Sequence, residues 1–349
     1  MRILVCPPDF FSVDYVINPW MDGHVGSVDQ KRAHSQWSAL VDRYSETAQI
    51  EVIAAAEGCP DMCFTANAGL VAEEQAVPAR FRMPERSSEE EPFAEYFRAA
   101  GFTLRDLPDE AAFEGEGDAL FAPGEPLLWA GYGVRSALET HPPLGETFGA
   151  EVVSLRLVDP RFYHLDTCFA PLPEGRLLYY PPAFDERSQR VIESRVPKES
   201  RIEVSEEDAL GFACNVMRIE DRLFLNQASP DLQRTLAAWG YETIVVPVDE
   251  FLKAGGGVKC LSLILDQAPY TRLATTRSQI SSTDIQIKGH LLDEGELNQT
   301  LDAITEAGGS FRLSHLSLAE RKDQESRAEL RVIAPTQADL EAILKRLES

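Results

Sequence analysis

Apolar positions in this chain fall into short runs, and five of those runs sit in blocks of one layout. Each block opens with small or acidic residues and passes through an apolar strand and a turn. In most of them a second strand returns. The blocks are CPDMCFTANAGLV (59–71), FEGEGDALFAPGEPLLWAGYGVRS (113–136), HLDTCFAPLPEGRLLYYP (164–181), GFACNVMRIEDRLFLN (211–226) and GGGVKCLSLIL (255–265). Turn formers stand where hairpins need them, at Pro123-Gly124, Pro173-Glu174-Gly175 and Glu220-Asp221. Ile3 to Cys6 reads as a first core strand. Between blocks, residues 31–47 carry Trp37, Leu40, Val41 and Tyr44 at helical spacing. Residues 91–100 stop before Gly101, and 230–240 begin at Pro230 and stop at Gly240, as capped helices do. Short strands follow these two helices, in FTLRDLP and YETIVVP. A ββαβ-like unit thus recurs every roughly 45–55 residues. Such repetition implies units set round an axis, with strand ends converging on the centre.

The pattern changes after the last block. Residues 266–283 are polar, without clear periodicity, and read as a linker or crossover. DIQIKGHLL then alternates as a strand, and ELNQTLDAITEAGG fits a helix closed by glycines. FRLSHLSLA and AELRVIAP read as two more strands. TQADLEAILKRLES reads as a last helix with Thr336 or Asp339 at its cap. This is a β-α-β-β-α module, an α+β sandwich by pattern. Its histidines, His290 and His315, lie far apart and lack local partners.

Composition narrows the function. The 349 residues are 44% hydrophobic and 26% charged, enough for a large globular domain of about 250–280 residues plus a small one. Thirty-three basic and 57 acidic residues leave a net charge of −24, which speaks against nucleic-acid or anionic-membrane partners and favours a cationic substrate. No apolar run approaches the roughly 20 residues of a membrane span, and two prolines end the N-terminal run too early for a signal peptide. Six cysteines without a disulfide framework indicate reduced thiols and a cytoplasmic location; Cys59 and Cys63 find no second pair for zinc, so no metal and no cofactor are expected.

One cysteine stands apart. Cys260 is presented where a glycine turn meets the run Leu261 to Leu265, read as a short buried strand, a placement that suits a nucleophile. Taken alone, the stretch better fits a buried small hydrophobe. The other blocks change the balance. His164 and Asp166 are two residues apart and would share one strand face. Glu114 lies among glycines in FEGEGD, and Asn67 takes the matching place in FTANAG.

Taken in order, FTANAG, FEGEGD, GYGVRS, HLDT and GGGVKC resemble the pentein superfamily of guanidine-modifying enzymes. The resemblance implies an α/β fold, a five-bladed pseudo-symmetric ββαβ propeller over residues 1–268. A linker (269–283) and a small α+β domain (284–349) follow. In particular, the chain resembles the cyanobacterial-type arginine dihydrolases. IKGHLLDEGELNQTLDAITEAGG is similar to the conserved region of lysine-oxoglutarate reductase/saccharopine dehydrogenase proteins. An ornithine cyclodeaminase domain that follows in longer relatives has no counterpart in these residues.

Roles follow from that resemblance. Cys260 is implied as nucleophile and His164 as general acid and base. Glu114 and Asp166 would hold the guanidinium, with Glu114 alternatively orienting His164. Deiminases of the superfamily tend to carry FTRDP where this chain has FTANAG, so Asn67 replaces a clamp aspartate; a neutral amide donor suits a ureido carbonyl in a second hydrolysis. Arg135 resembles the arginine that pairs with a substrate carboxylate, with a surface salt bridge as the alternative. Asn18, and Arg86 in the mobile-looking PERSSEEE stretch, are read as a lid, Arg86 otherwise as part of a solvated charge run. Asp118 binds ligand or caps its own turn. Cys6, Cys63, Cys168, Cys214 and the four tryptophans read as packing.

The expected activity is hydrolysis of arginine to ornithine, ammonia and carbon dioxide through a covalent thiouronium on Cys260. The alternatives are a deiminase or dimethylarginine dimethylaminohydrolase-like enzyme giving citrulline, and a non-catalytic arginine sensor. The expected partners are arginine, further copies of the chain assembled through or aided by the C-terminal domain, and a downstream ornithine-using enzyme.

Overall fold

The computed structural model describes residues 1–107, 111–267, 270, 280–289, 291, 296–317 and 326–347. These form two compact units, residues 1–275 and 276–349. Most of the expected linker lies outside the described residues, as does His290.

The first unit is built from five three-stranded sheets. Strands β1 (Arg2–Val5) and β2 (Gln49–Val52) run parallel, joined by helix α1 (Gln30–Ser45). Three sheets then repeat one plan. The hairpins β3–β4 (Gly69–Ala72, Gln75–Pro78), β6–β7 (Ala119–Phe121, Leu127–Tyr132) and β9–β10 (Phe169–Leu172, Arg176–Tyr179) each receive a parallel third strand. Those third strands are β5 (Thr103–Leu104), β8 (Glu151–Arg156) and β11 (Arg201–Glu203), reached through helices α2 (Glu90–Ala99), α3 (His141–Phe148) and α4 (Glu186–Arg195). The fourth hairpin, β12–β13 (Met217–Ile219, Arg222–Leu225), follows the short helix α5 (Glu206–Leu210) and gains β14 (Glu242–Val245) through α6 (Pro230–Ala238). After a last short helix, α7 (Asp249–Leu252), β15 (Leu263–Ile264) returns antiparallel to β1. The two ends of the unit therefore complete one sheet.

Local chemistry explains these elements. Glu174 and Gly175 turn the third hairpin with φ of 63° and 67°. Asp29 accepts the Arg32 N–H at the start of α1, and Ser229 accepts that of Leu232 ahead of Pro230 in α6. Strand β3 is buried throughout and β10 nearly so, whereas the third strands β2 and β14 stay half open and each carry a glutamate. Apolar clusters fill the spaces between neighbouring sheets; one packs Ile3, Val5 and Tyr44 against Met217, Phe224 and Phe251.

Several expectations need correction. The 261–265 run is not a strand throughout. Leu261 and Ser262 donate to Gly257 and Lys259 in a helical turn, and only Leu263–Ile264 pair with β1. The buried Ser262 hydroxyl, bonded to Val258 O and the Tyr44 hydroxyl, holds the chain in that turn. Likewise His164 and Asp166 do not share a strand face: His164 is extended, but residues 165–167 form a 3₁₀ turn ahead of β9. PERSSEEE is not an irregular stretch but a 3₁₀ turn (Pro84–Glu89) that runs into α2.

The second unit follows the expected order. β16 (Ser281–Gly289), α8 (Glu296–Glu306), β17 (Ser310–Ser317), β18 (Ser326–Ala334) and α9 (Gln337–Leu347) give an antiparallel sheet with β18 in the middle. Ala328, Leu330 and Val332 of β18 meet Ile304, Leu340 and Ile343 of the helices. Thr336 caps α9 by accepting the Asp339 N–H. No helix among the described residues is long and apolar enough to cross a membrane.

Candidate active site

Where the blocks begin, the first unit brings tight turns together. The 3₁₀ turns at 65–68, 115–117 and 165–167 touch in succession, and β15 adjoins the first. Glycines make this approach possible. A Cβ on Gly117 would fall 2.4 Å from Asn67 Nδ2 and 3.3 Å from the His164 ring. In the Cys260 loop, a Cβ on Gly256 would lie 2.1 Å from the Phe64 ring, and one on Gly257 2.6 Å from Asn215 Oδ1. These glycines admit side chains of other repeats.

Glu114 is the hub. It is wholly buried, and both oxygens are engaged. Oε1 accepts the Arg82 N–H at 3.1 Å; Oε2 accepts His164 Nε2 at 2.7 Å and the Arg135 guanidinium at 3.3 Å. Burial alone would raise its pKa, but the His164 hydrogen bond and the charges of Arg135 and Arg86 hold it at about 2. An ionised carboxylate only accepts, so His164 Nε2 carries a proton and Nδ1 is left as the basic nitrogen.

Asp166 joins the histidine side to the thiol. The Cys260 thiol donates to its Oδ2 at 3.2 Å, while Oδ1 is buried without a hydrogen-bond partner among the described residues. Burial pushes Asp166 up to about 6 in spite of His164 and Lys259. Burial and the neighbouring Asp166 charge likewise raise the Cys260 thiol well above its ordinary value. A neighbouring cation favours the thiolate of such a group.

Asn67 and Arg86 form a second group. Arg86 is 3% exposed, not a solvated charge: it forks onto Glu89 at 2.9 and 2.8 Å, lies over the Phe81 ring, and donates to Asn67 Oδ1 at 2.8 Å. Because a guanidinium cannot accept, the amide oxygen faces Arg86 and Nδ2 faces Glu114 and Gly117. Arg135 is also buried rather than a surface bridge. It lies over Tyr163, holds Ile17 O at 2.8 Å, and leaves Nε without a hydrogen-bond partner among the described residues.

The two remaining candidates serve the protein's own backbone. Asn18 donates to Ala254 O and accepts from the Trp20 and Met21 N–H groups, fastening its loop over the glycine turn. Asp118 accepts from Ser136 N, Ser136 Oγ and Leu165 N, so it braces two loops, with both oxygens used. Sequence reasoning passed over Asn215, whose Nδ2 lies 3.1 Å from Cys260 Sγ. Its signal was present: F-A-C-N at 212–215 repeats the F-x-x-N of FTAN at 64–67. A cavity of about 310 Å³ borders Asp166 and Lys259, but Glu114, His164 and Cys260 do not line it. Among the described residues no group of three or more His, Cys, Asp or Glu could hold a metal ion.

The raised Asp166 pKa has a consequence for stability. The folded protein keeps this proton up to about pH 6, whereas an unfolded aspartate releases it near 4. Stability therefore falls as pH rises through that window. Asp166→Asn is expected to be more stable than the parent at pH 7.5 by about 1–3 kcal/mol, with the gain gone below pH 4. Thermal melts across pH check this; an equal or lower melting temperature at pH 7.5 contradicts it.

Known proteins place this site in a family. Residues 17–265 match the family model described as N,N dimethylarginine dimethylhydrolase, eukaryotic, and residues 282–349 the LOR/SDH bifunctional enzyme conserved region. The chain is 49% identical over 347 residues to the bifunctional arginine dihydrolase/ornithine cyclodeaminase ArgZ of Synechocystis sp., an alignment covering 99% of this chain and 49% of that protein. The chain thus spans about half the length of the curated relatives it matches over its full extent. A cysteine-to-alanine mutant of AgrE, the corresponding Nostoc sp. protein, in complex with L-arginine, is similar at TM-score 0.96 and 45% identity, covering 99% of this chain and 51% of that one. The N-terminal domain of an ArgZ asparagine-to-serine variant, covalently bound to a reaction intermediate, is similar at TM-score 0.75 and 52% identity, covering 76% of this chain and 98% of that one. Through residues 17–265, this chain belongs to the dimethylarginine dimethylaminohydrolase family within the guanidine-modifying penteins, and a LOR/SDH conserved region follows in its second unit.

Proposed function

We propose that the chain is an arginine dihydrolase, converting arginine and two waters to ornithine, two ammonia and carbon dioxide. Asp166 Oδ1, a buried acceptor without a partner, takes a guanidinium N–H and sets the central carbon against Cys260. The bound cation offsets the burial that keeps the thiol protonated; the thiol proton passes to the basic Nδ1 of His164, and the thiolate adds to the guanidinium carbon. His164 protonates the departing ammonia, then takes a proton from the water that hydrolyses the thiouronium. Glu114, with both oxygens on protein donors, orients His164 and stabilises its cationic form rather than clamping substrate. Arg135, through its unpartnered Nε, is the candidate for the substrate carboxylate.

The observation that carries two rounds rather than one is the fixed amide of Asn67. With its oxygen on Arg86, it offers N–H to the site, and an N–H donor holds the neutral ureido carbonyl of citrulline where a carboxylate repels it. The relative trapped as a covalent intermediate carries an asparagine-to-serine change, and the relative holding L-arginine lacks a cysteine; Asn67 and Cys260 are the asparagine and thiol to which we assign those functions here. The match to the dimethylarginine hydrolase family favours the second reading, a single cleavage of methylated arginine giving citrulline. Product analysis separates them. About two ammonia per ornithine from arginine is expected of the parent, with a shift toward citrulline in Asn67→Asp, whose carboxylate still accepts from Arg86. Citrulline as the parent's end product supports the single-cleavage reading, and an unchanged ornithine yield in Asn67→Asp removes the role given to Asn67.

We further infer that the five sheets are blades of a pseudo-symmetric propeller over residues 1–268, with a linker at 269–283 and a C-terminal domain at 284–349 that joins copies of the chain. The shared ββαβ plan and the separate core of the second unit support this. A chain ending at residue 268 is expected to remain folded and to have a lower assembly mass by light scattering. An unchanged mass, or loss of folding, contradicts the assignment.

A further inference from the structure

We propose that Asn215, on the fourth repeat, is the donor that positions the Cys260 sulfur and stabilises its thiolate. Its carboxamide has four partners, and together they fix which end faces which way. The N–H groups of Lys259 and Cys260 donate to Oδ1 at 2.8 and 3.3 Å, so that end must be oxygen. Nδ2 faces the other way, donating to the Asp166 carbonyl at 3.0 Å and to Cys260 Sγ at 3.1 Å. The residue is wholly buried, so water does not compete for either end.

One amide thus performs two tasks. Its oxygen ties down the backbone that carries the nucleophile, and its nitrogen points at the nucleophile's sulfur. Gly257 leaves the space for this, since a Cβ there would lie 2.6 Å from Oδ1. On the other side of the sulfur stands a carboxylate oxygen, Asp166 Oδ2, at 3.2 Å. Once the thiol proton leaves, the sulfur faces like charge there and an N–H at Asn215. A hydrogen bond to the charged form favours that form. Burial and Asp166 raise the thiol, while Asn215 pulls it the other way.

The proposal rests on Cys260 as the nucleophile, and its test reads the thiol without substrate, so it does not depend on which guanidine is hydrolysed. Asn215→Asp keeps an acceptor for the two backbone N–H groups but has no donor for sulfur. Asn215→Ala removes both functions. In the full chain, iodoacetamide labelling of Cys260 is followed by peptide mass spectrometry from pH 7 to 10. Both variants are expected to label about tenfold or more slowly than the parent at each pH, a shift of at least one unit in thiol pKa. The melting transition of Asn215→Asp is expected to persist. Parent-like labelling in Asn215→Asp overturns the proposal. If that variant does not fold, parent-like labelling in Asn215→Ala does so instead. A parent Cys260 that labels no faster than the other buried cysteines overturns it too, because no stabilised thiolate is then present.

Discussion

The hydrogen bond between Glu114 and His164, closed at 2.7 Å with both side chains buried, is the constraint around which the site is arranged. A carboxylate taken out of water must fill its lone pairs with donors. Here they come from the Arg82 backbone, the Arg135 guanidinium and the imidazole. Each donor is then anchored elsewhere. Arg135 reaches on to Ile17 and stacks on Tyr163, while Arg82 Nε binds the Arg135 carbonyl. Replacing the hub would strand a buried arginine and a histidine together, so its loss reaches well beyond one contact.

Asp166 shows the opposite economy. Its carboxylate has an oxygen with no partner, beside a thiol that burial keeps protonated. In the proposed reaction a guanidinium placed between them offsets both. Binding and activation are then one event: the cation that fills the acceptor is also the electrophile that the thiolate attacks.

Much of this was legible in the sequence because the repeat is regular. Glu114 and His164 each precede the first strand of their sheet, Ala119 and Phe169, by the same interval; Asp166 and Cys260 share another before Phe169 and Leu263. Repeated blocks place such residues at one end of their sheets, so their meeting could be read from the spacing. Local geometry was less visible. A 3₁₀ turn has no periodicity of its own, so His164 and Asp166 looked like strand neighbours, and Ser262 gave no sign that it would hold the cysteine in a turn. Arg86 looked solvated in PERSSEEE because its partners are a glutamate one turn on and an asparagine from an earlier block. Helices α3 and α4 went unassigned because HPPLGETF has two prolines and ERSQRVIESR almost no apolar stripe. The glycines of GGGVKC signalled close approach, and two of them admit Phe64 and Asn215.

The central claim is that Cys260 forms a covalent bond to a guanidine carbon in a site charged by its own substrate. Rapid quenching of the full chain with arginine, followed by mass spectrometry of the Cys260 peptide, tests it most directly. A transient adduct on Cys260, absent from Cys260→Ser, is predicted; turnover of arginine with no adduct at any quench time, or undiminished turnover by Cys260→Ser, would contradict it.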